Sequence, residues 1–249
     1  MCTVIILRRP DHPWPLLLAA NRDEMEDRPW LPPARHWPDR EGVTAGLDQL
    51  ADGTWLGVND RAMVAAVLNR PDSLGPQVGK RSRGELPLEA LDHESAEAAV
   101  DALKHIDPAA YRPFNIVVAD TQDAFWLAAR EGERIVHVAP IPEGLSMITA
   151  HDLGDTEGSA RIRHHLPLFE AAPPPNIETG DWTGWQERLG SREIESTPES
   201  AMCIETDWGF ATRSSSLIAL PRPQNPLRQP IWRFCHGAPT KDRWTDIEF

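Results

Sequence analysis

The sequence predicts an α+β fold, because short apolar runs typical of strands recur along the chain, while helical patterns are fewer and come in blocks. Gly, Pro, Asn and Asp interrupt the apolar runs at intervals short enough for hairpins. Strands are predicted at residues 2–7, 16–20, 55–58, 63–68, 115–119, 124–129, 135–138, 145–149 and 217–220. Helices are predicted at residues 85–91, 95–105, 158–169 and 182–189.

Chain length and composition predict a single domain over residues 1–249. Hydrophobic residues make up 41% of the chain, which is enough for a substantial core. Residues 221–249 carry Pro, Trp and charge without clear periodicity, so this tail is predicted to wrap over the domain. Two proline-rich segments, 28–39 and 171–176, are predicted to be long ordered loops because proline fixes φ.

Charge and cysteine usage restrict the class of partner. The 25 Lys and Arg against 38 Asp and Glu give a net charge of -13, which repels nucleic acid and anionic membrane surfaces. No apolar run reaches the roughly 18 residues of a membrane-spanning helix, and the start lacks the pattern of a signal peptide. The three cysteines lack a CxxC motif, and the histidines lack metal-ligand spacing. We therefore expect a cytoplasmic protein without membrane anchor or metal that binds a small molecule; the oligomeric state stays open.

Cys2 is the strongest candidate for a reactive group. Its small side chain favours removal of Met1, which would leave a free α-amino group and a thiol on one residue. Their reference pKa values are about 7.7–8.0 and about 8.5, so near neutral pH the amine can accept the thiol proton directly or through a water. Since many proteins carry a small residue at position 2 for processing reasons, the neighbours of Cys2 have to support this interpretation.

The first predicted hairpin supplies those neighbours. If residues 2–7 pair with residues 16–20 across the intervening loop, Cys2 lies opposite Asn21, within about two residues. The polar run from Asn21 to Glu24 then lies beside the N-terminus, where a carboxylate can hold the ammonium and a guanidinium can favour the thiolate. The alternative interpretation of this run is a solvated turn after a strand.

The start Met-Cys-Thr and the run Leu-Ala-Ala-Asn-Arg-Asp-Glu at 18–24 resemble the NRDE family, which includes animal transport and Golgi organisation protein 2. Further matching motifs are Gly53-Thr-Trp-Leu-Gly-Val-Asn59, Asn69-Arg-Pro71, Ser82-Arg-Gly-Glu85, Phe114-Asn115, Gly144-Leu-Ser146 and Thr212-Arg-Ser-Ser215. The family is similar in turn to N-terminal nucleophile hydrolases of the choloylglycine hydrolase and penicillin V acylase type. This resemblance implies a four-layer αββα sandwich.

The resemblance also implies roles for individual residues. Asp23 matches the Asp that assists the nucleophile in those hydrolases, and Arg22 is the nearest counterpart of a neighbouring Arg. Asn69 matches an oxyanion donor, for which a neutral amide is chemically suited. A second Asn is expected where this chain has Met147, which cannot donate, and Arg213 would close the far side of the pocket.

Two functions remain open from the sequence. The first is an amidohydrolase that acts on a small amide or acylated metabolite and requires no cofactor. The second, also implied by the resemblance, is a haem or acyl-lipid binding or trafficking protein in which Cys2 is an axial ligand or part of the pocket wall. Cys2 beside Asp23 favours hydrolysis, whereas Met147 favours binding. The candidate catalytic residues are Cys2, Asp23, Arg22 and Asn69, and the substrate-binding or supporting residues are Asn21, Glu24 and Arg213.

Overall fold

The computed structural model describes residues 2–222, 229–239 and 243–249. Its strands are β1 (Thr3–Arg8), β2 (Leu16–Met25), β3 (Trp30–Ala34), β4 (Val43–Asp48), β5 (Leu56–Asn59), β6 (Val64–Asn69), β7 (Phe114–Ala119), β8 (Ala124–Ala129), β9 (His137–Pro140), β10 (Gly144–Ile148), β11 (Phe210–Leu220), β12 (Ile231–His236) and β13 (Trp244–Asp246). Its α-helices are α1 (Glu85–Leu91), α2 (Ala96–Leu103), α3 (Ala160–Ala171) and α4 (Thr183–Leu189). Short 3₁₀ turns lie at Pro108–Ala110 and Pro198–Ser200.

The chain divides into two compact units. Unit 1 comprises Met1–Arg28 and Glu143–Glu248, and unit 2 comprises Pro29–Pro142 together with Phe249. The prediction of one domain over residues 1–249 is not decided by this division and stays a prediction.

Unit 1 contains an antiparallel sheet with strand order β10-β1-β2-β11-β12-β13. Helices α3 and α4 pack against one face of this sheet, which carries every second residue of each strand because side chains alternate along a strand. The core on that face includes Ile5, Leu17, Met147, Leu217, Ile162, Phe169 and Trp185. Ser159 caps α3 by accepting a hydrogen bond from the backbone N–H of Ile162, which sets where this helix begins.

Unit 2 contains an antiparallel sheet in which β3 to β9 follow one another in chain order. Helices α1 and α2 pack against one of its faces, with Ser95 capping α2. The core on that face includes Ala45, Ala65, Phe114, Ile116, Leu127, Leu88, Leu91 and Val100.

The motif that begins at Gly53 contacts the motif that begins at Ser82 within unit 2, and this contact requires a glycine at position 53. A Cβ added to Gly53 would lie 2.6 Å from the carbonyl carbon of Gly84. The backbone N–H of Thr54 donates to the carbonyl oxygen of Gly84 at 2.8 Å. Any side chain at position 53 would displace this backbone contact. The close approach of Gly84 therefore explains why position 53 is a glycine.

All nine predicted strands and all four predicted helices are present, but the described residues contain four strands that were not predicted. Strand β3 lies inside the segment 28–39, which was predicted to be an ordered loop. No element was predicted at β4. The tail 221–249 was predicted only to wrap over the domain, whereas β12 and β13 extend the sheet of unit 1. Residues 223–228 and 240–242 of that tail lie outside the described residues. These strands were missed because they are short or lack regular alternation, and their pairing depends on distant partners.

Candidate active site

Cys2 lies at the start of β1, next to the polar part of β2. The pairing of Thr3 with Asn21 differs from the predicted register by one residue, within the expected range. The Cys2 thiol donates to the backbone oxygen of Asp23 at a sulfur–oxygen distance of 3.6 Å, and the residue as a whole is partly exposed. Met1, whose removal we predict, lies outside the described residues.

The run from Asn21 to Glu24 lies inside β2. This strand continues to Met25 because β11 pairs with it over its whole length and satisfies its backbone N–H and C=O groups. Asn21, Arg22 and Asp23 are 1%, 5% and 2% exposed. The alternative interpretation of this run as a solvated turn is therefore wrong.

The Asp23 carboxylate is held from two directions. Thr212 Oγ1 donates to Asp23 Oδ1 at 2.7 Å, from the paired residue on β11. Arg161 Nη1 donates to Asp23 Oδ2 at 3.0 Å, and both side chains of this ion pair are 0% exposed. Charge-assisted hydrogen bonds in a buried environment fix the orientation of this carboxylate beside the N-terminus.

Arg161 is a site residue that the sequence analysis missed. It lies in the first turn of α3, and its guanidinium also donates from Nη1 to Thr3 Oγ1 at 2.7 Å. Its Nε and Nη2 donate to the backbone oxygen of Glu199 at 3.1 and 2.9 Å. The signal that could have identified it is the spacing of Arg161, His165 and Phe169, which places the three side chains on one buried face of the predicted helix.

Arg22 lies on the opposite face of β2 from Asp23, because side chains alternate along a strand. Its Nη2 lies 3.8 Å from Glu24 Oε2, and this carboxylate is also 3.8 Å from Arg28 Nε. We expected Arg22 to lower the pKa of the Cys2 thiol below its ordinary value. The direction is the opposite: burial raises the pKa of Cys2, the Asp23 charge raises it further, and the lowering by Arg22 is smaller.

We expect alkylation of Cys2 by iodoacetamide to follow a pH curve whose midpoint lies above the reference thiol pKa of about 8.5, since burial and the Asp23 charge disfavour the thiolate. Peptide mass spectrometry between pH 6 and 10 measures this rate, with a short cysteine peptide as the reference. An Asp23→Asn variant should move the midpoint downward. A wild-type midpoint at or below that of the reference peptide would contradict the expectation.

Asn21, predicted as a supporting residue of the site, occupies a buried hydrogen-bond network. Its Nδ2 donates to the backbone oxygens of Leu189 and Met202 at 3.0 and 2.9 Å. Ser215 Oγ donates to its Oδ1 at 2.6 Å. The side chain therefore ties the end of α4 and the loop segment at Met202 to the sheet, and its polar atoms are used in this network.

Replacing Asn21 by Ala is expected to lower the free energy of unfolding by about 2–3 kcal/mol, because it leaves two buried carbonyls and one hydroxyl without their partner. Urea unfolding measures this difference. Ser215→Ala, which removes one hydrogen bond of the same network, is the matched control and should cost about 1 kcal/mol. Equal small losses in the two variants would show that the network contributes little.

Met147 lies in the apolar core of unit 1, whereas the predicted pocket role of Arg213 stays a prediction. Met147 pairs with Ile5 across β1 and β10, and its side chain is buried in the core that faces α3. A donor at this position would lie in the apolar core, so Met147 does not decide whether an oxyanion site exists. Arg213 lies at a β-bulge where the pairing with β2 shifts, and its Nη1 is 3.5 Å from Glu26 Oε1.

Asn69 belongs to unit 2, whereas Cys2, Arg22 and Asp23 belong to unit 1. It ends β6 opposite Phe114 and is partly exposed. By strand alternation it shares a face with Ala65, which packs in the core of that unit. Its role as an oxyanion donor stays a prediction.

No helix within the described ranges is both long enough and apolar enough to cross a lipid bilayer. Among the same residues, no three His, Cys, Asp or Glu side chains converge in a way that would hold a metal ion. Cys203 and Cys235 are buried free thiols.

Comparison with known proteins places the chain in a sequence family. The model of the family "Transport and Golgi organisation 2" matches residues 1–171. The Transport and Golgi organization protein 2 homolog of Bos taurus is 35% identical over 141 residues, which cover 53% of this chain and 50% of that protein. The homolog of Homo sapiens is 35% identical over 119 residues, which cover 44% and 40%. The chain therefore matches half or less of the length of these curated relatives.

Solved structures establish the fold. An N-acylethanolamine-hydrolyzing acid amidase ortholog from Caenorhabditis elegans matches with a TM-score of 0.60 and 14% identity, over 89% of this chain and 94% of its own. Penicillin V acylase from Agrobacterium tumefaciens has the same score and identity over 94% and 83%. A conjugated bile acid hydrolase from Clostridium perfringens does so over 100% and 92%. The predicted αββα fold of the N-terminal nucleophile hydrolase type is confirmed.

Proposed function

The chain belongs to the Transport and Golgi organisation 2 family, and on that basis we propose that it is an N-terminal cysteine amidohydrolase that acts on a small amide or acylated metabolite. The observation that carries the proposal is the Cys2 thiol 3.6 Å from the backbone oxygen of Asp23, whose carboxylate is oriented by Arg161 and Thr212. Covalent catalysis needs such a nucleophile beside groups of fixed geometry. Solved structures of this fold include enzymes named as an amidase, an acylase and a bile acid hydrolase, which supports the same class of reaction.

The proposed reaction begins with removal of Met1, which frees the α-amino group of Cys2. This amine accepts the thiol proton while the sulfur attacks the amide carbonyl carbon and a C–S bond forms. A backbone N–H holds the oxyanion of the tetrahedral intermediate, and the predicted contribution of Asn69 stays a prediction. The C–N bond then breaks, the leaving amine takes the proton from the ammonium, and water hydrolyses the thioester to regenerate the thiol.

The raised pKa of Cys2 is compatible with this sequence of steps. The thiol does not have to be ionised before substrate binds, because the α-amine takes its proton during the attack. In the same proposal Asp23 holds the resulting ammonium through its negative charge. Its buried ion pair with Arg161 keeps the carboxylate in one orientation as the proton moves.

Binding of haem or an acyl lipid remains the alternative to hydrolysis. A cysteine binds haem iron as the thiolate, and both burial and the Asp23 charge disfavour that form of Cys2. Binding of iron by Cys2 would have to offset this cost of forming the thiolate, and we assign haem no step at this site. Acyl-lipid binding and a cytoplasmic location stay predictions.

Mass spectrometry tests the proposed hydrolase directly. The intact mass should show loss of Met1. Incubation with penicillin V, a glycine-conjugated bile acid or an N-acylethanolamine, followed by acid quench, should leave an acyl group on the Cys2 peptide for at least one of them. Cys2→Ala should show no adduct, and Cys235→Ala is the matched control that should still form it.

Two results would contradict the proposal. One is a retained Met1, since no α-amine would then lie on Cys2. The other is the absence of both an adduct and a released amine across the three substrates. A saturable Soret shift on adding haem that disappears in Cys2→Ala would instead support the binding alternative.

A further inference from the structure

Two side chains of α3 bind successive backbone carbonyls of the Pro198–Ser200 turn. Arg161 donates from Nε and Nη2 to the oxygen of Glu199 at 3.1 and 2.9 Å. His165 donates from Nε2 to the oxygen of Ser200 at 3.1 Å, and this contact assigns the ring proton to Nε2. The two residues are one helical turn apart and are 1% and 0% exposed.

The same guanidinium reaches the candidate active site on its other side. Arg161 Nη1 donates to Asp23 Oδ2 at 3.0 Å and to Thr3 Oγ1 at 2.7 Å. A guanidinium is planar, so the direction of Nη1 follows from the direction of Nε and Nη2. The position of the Glu199 carbonyl therefore helps to determine the orientation in which Arg161 Nη1 donates to Asp23 Oδ2.

We propose that His165 is a positioning residue, which holds the Pro198–Ser200 turn against α3 and thereby orients Arg161 toward Asp23 beside Cys2. The inference rests on the assignment of Cys2 and Asp23 to the active site in the proposed function. Its test needs no turnover of substrate, so it can fail or succeed independently of amide hydrolysis.

The surroundings of His165 keep its ring neutral. The charged and titratable groups that act on it are His164, with ring centroids 4.7 Å apart, Arg161 and Glu193. Its buried Nδ1 makes no hydrogen bond within the part of the chain that the structure describes. Burial first, then His164 and Arg161, lower the pKa of His165 to about 4. The Nε2–H donor is consequently present throughout the pH range of the experiment below.

The experiment measures the rate at which a pyridyl disulfide modifies Cys2 between pH 6 and 10, resolved by peptide mass spectrometry, in the full-length protein. His165→Met removes the donor at similar volume, and His165→Gln keeps an N–H donor. His164→Met is the matched control on the neighbouring, partly exposed residue. We expect His165→Met to react about threefold more slowly at pH 8, because a displaced Arg161 offsets less of the Asp23 charge that raises the pKa of Cys2.

His165→Gln and His164→Met are expected to keep the wild-type pH profile. A folded His165→Met protein with the wild-type profile would overturn the proposal. If His165→Met does not fold, the pH profile of Cys2 modification in His165→Gln tests the proposal instead. A wild-type profile in that variant supports the role of the donor, and a shifted profile in the folded variant contradicts it.

Discussion

Replacing Arg161 by Met is expected to lower the free energy of unfolding by about 3–5 kcal/mol, because the substitution leaves the buried Asp23 carboxylate without its cationic partner. The variant also loses the buried hydrogen bond to Thr3 Oγ1 and the partly buried hydrogen bonds to the Glu199 carbonyl. Methionine fills a similar volume, so the loss reports on charge and hydrogen bonding more than on a cavity. Urea unfolding at pH 7 measures the difference.

Arg163→Met is the matched control for this experiment. Arg163 lies on the same helix and pairs with Glu195, but its side chain is 46% exposed. An exposed ion pair contributes under about 1 kcal/mol, so this control should stay close to wild type. A second variant that combines Arg161→Met with Asp23→Asn should recover part of the loss, since it removes the uncompensated charge. Equal effects of Arg161→Met and Arg163→Met would show that the buried pair does not stabilise the fold.

The stability of the protein is expected to decrease as the pH falls from about 6.5 to about 4, through His165. In the folded protein burial, His164 and Arg161 lower the pKa of His165 to about 4, whereas in the unfolded chain it is about 6.5. The unfolded state therefore takes up a proton first, and unfolding becomes more favourable over this interval. A difference of roughly 2.5 pKa units corresponds to about 3 kcal/mol, fully present above pH 6.5 and lost near pH 4.

Comparison with His165→Gln isolates this contribution, because all other titrating groups are shared by the two proteins. The difference in unfolding free energy between wild type and His165→Gln should change by about 3 kcal/mol between pH 7 and pH 4. His164→Gln, at a partly exposed position, should change it far less. A difference that is independent of pH would mean that the buried ring takes up its proton as readily as the unfolded chain does.

Local patterns identified Cys2 and its neighbours, and the structure changed the interpretation of their chemistry. The hairpin register placed Cys2 within one residue of its observed position, because apolar periodicity and loop length restrict how two adjacent strands pair. The sign of the Cys2 pKa shift was not predictable in this way. It depends on how deeply the fold buries the thiol, and this burial outweighs the nearby Arg22.

The sequence by itself determined the α+β class, the four helices, most of the strands and the position of Cys2 beside the run from Asn21 to Glu24, since each of these follows from short-range periodicity. Only the tertiary structure decided that Arg161, 138 positions from Asp23, is the partner of that carboxylate. It also decided that Asn21 is part of a buried network and that Met147 is a core residue. These roles depend on which side chains the packing of α3, α4 and β11 brings to one face of β2, and no local pattern encodes those distances.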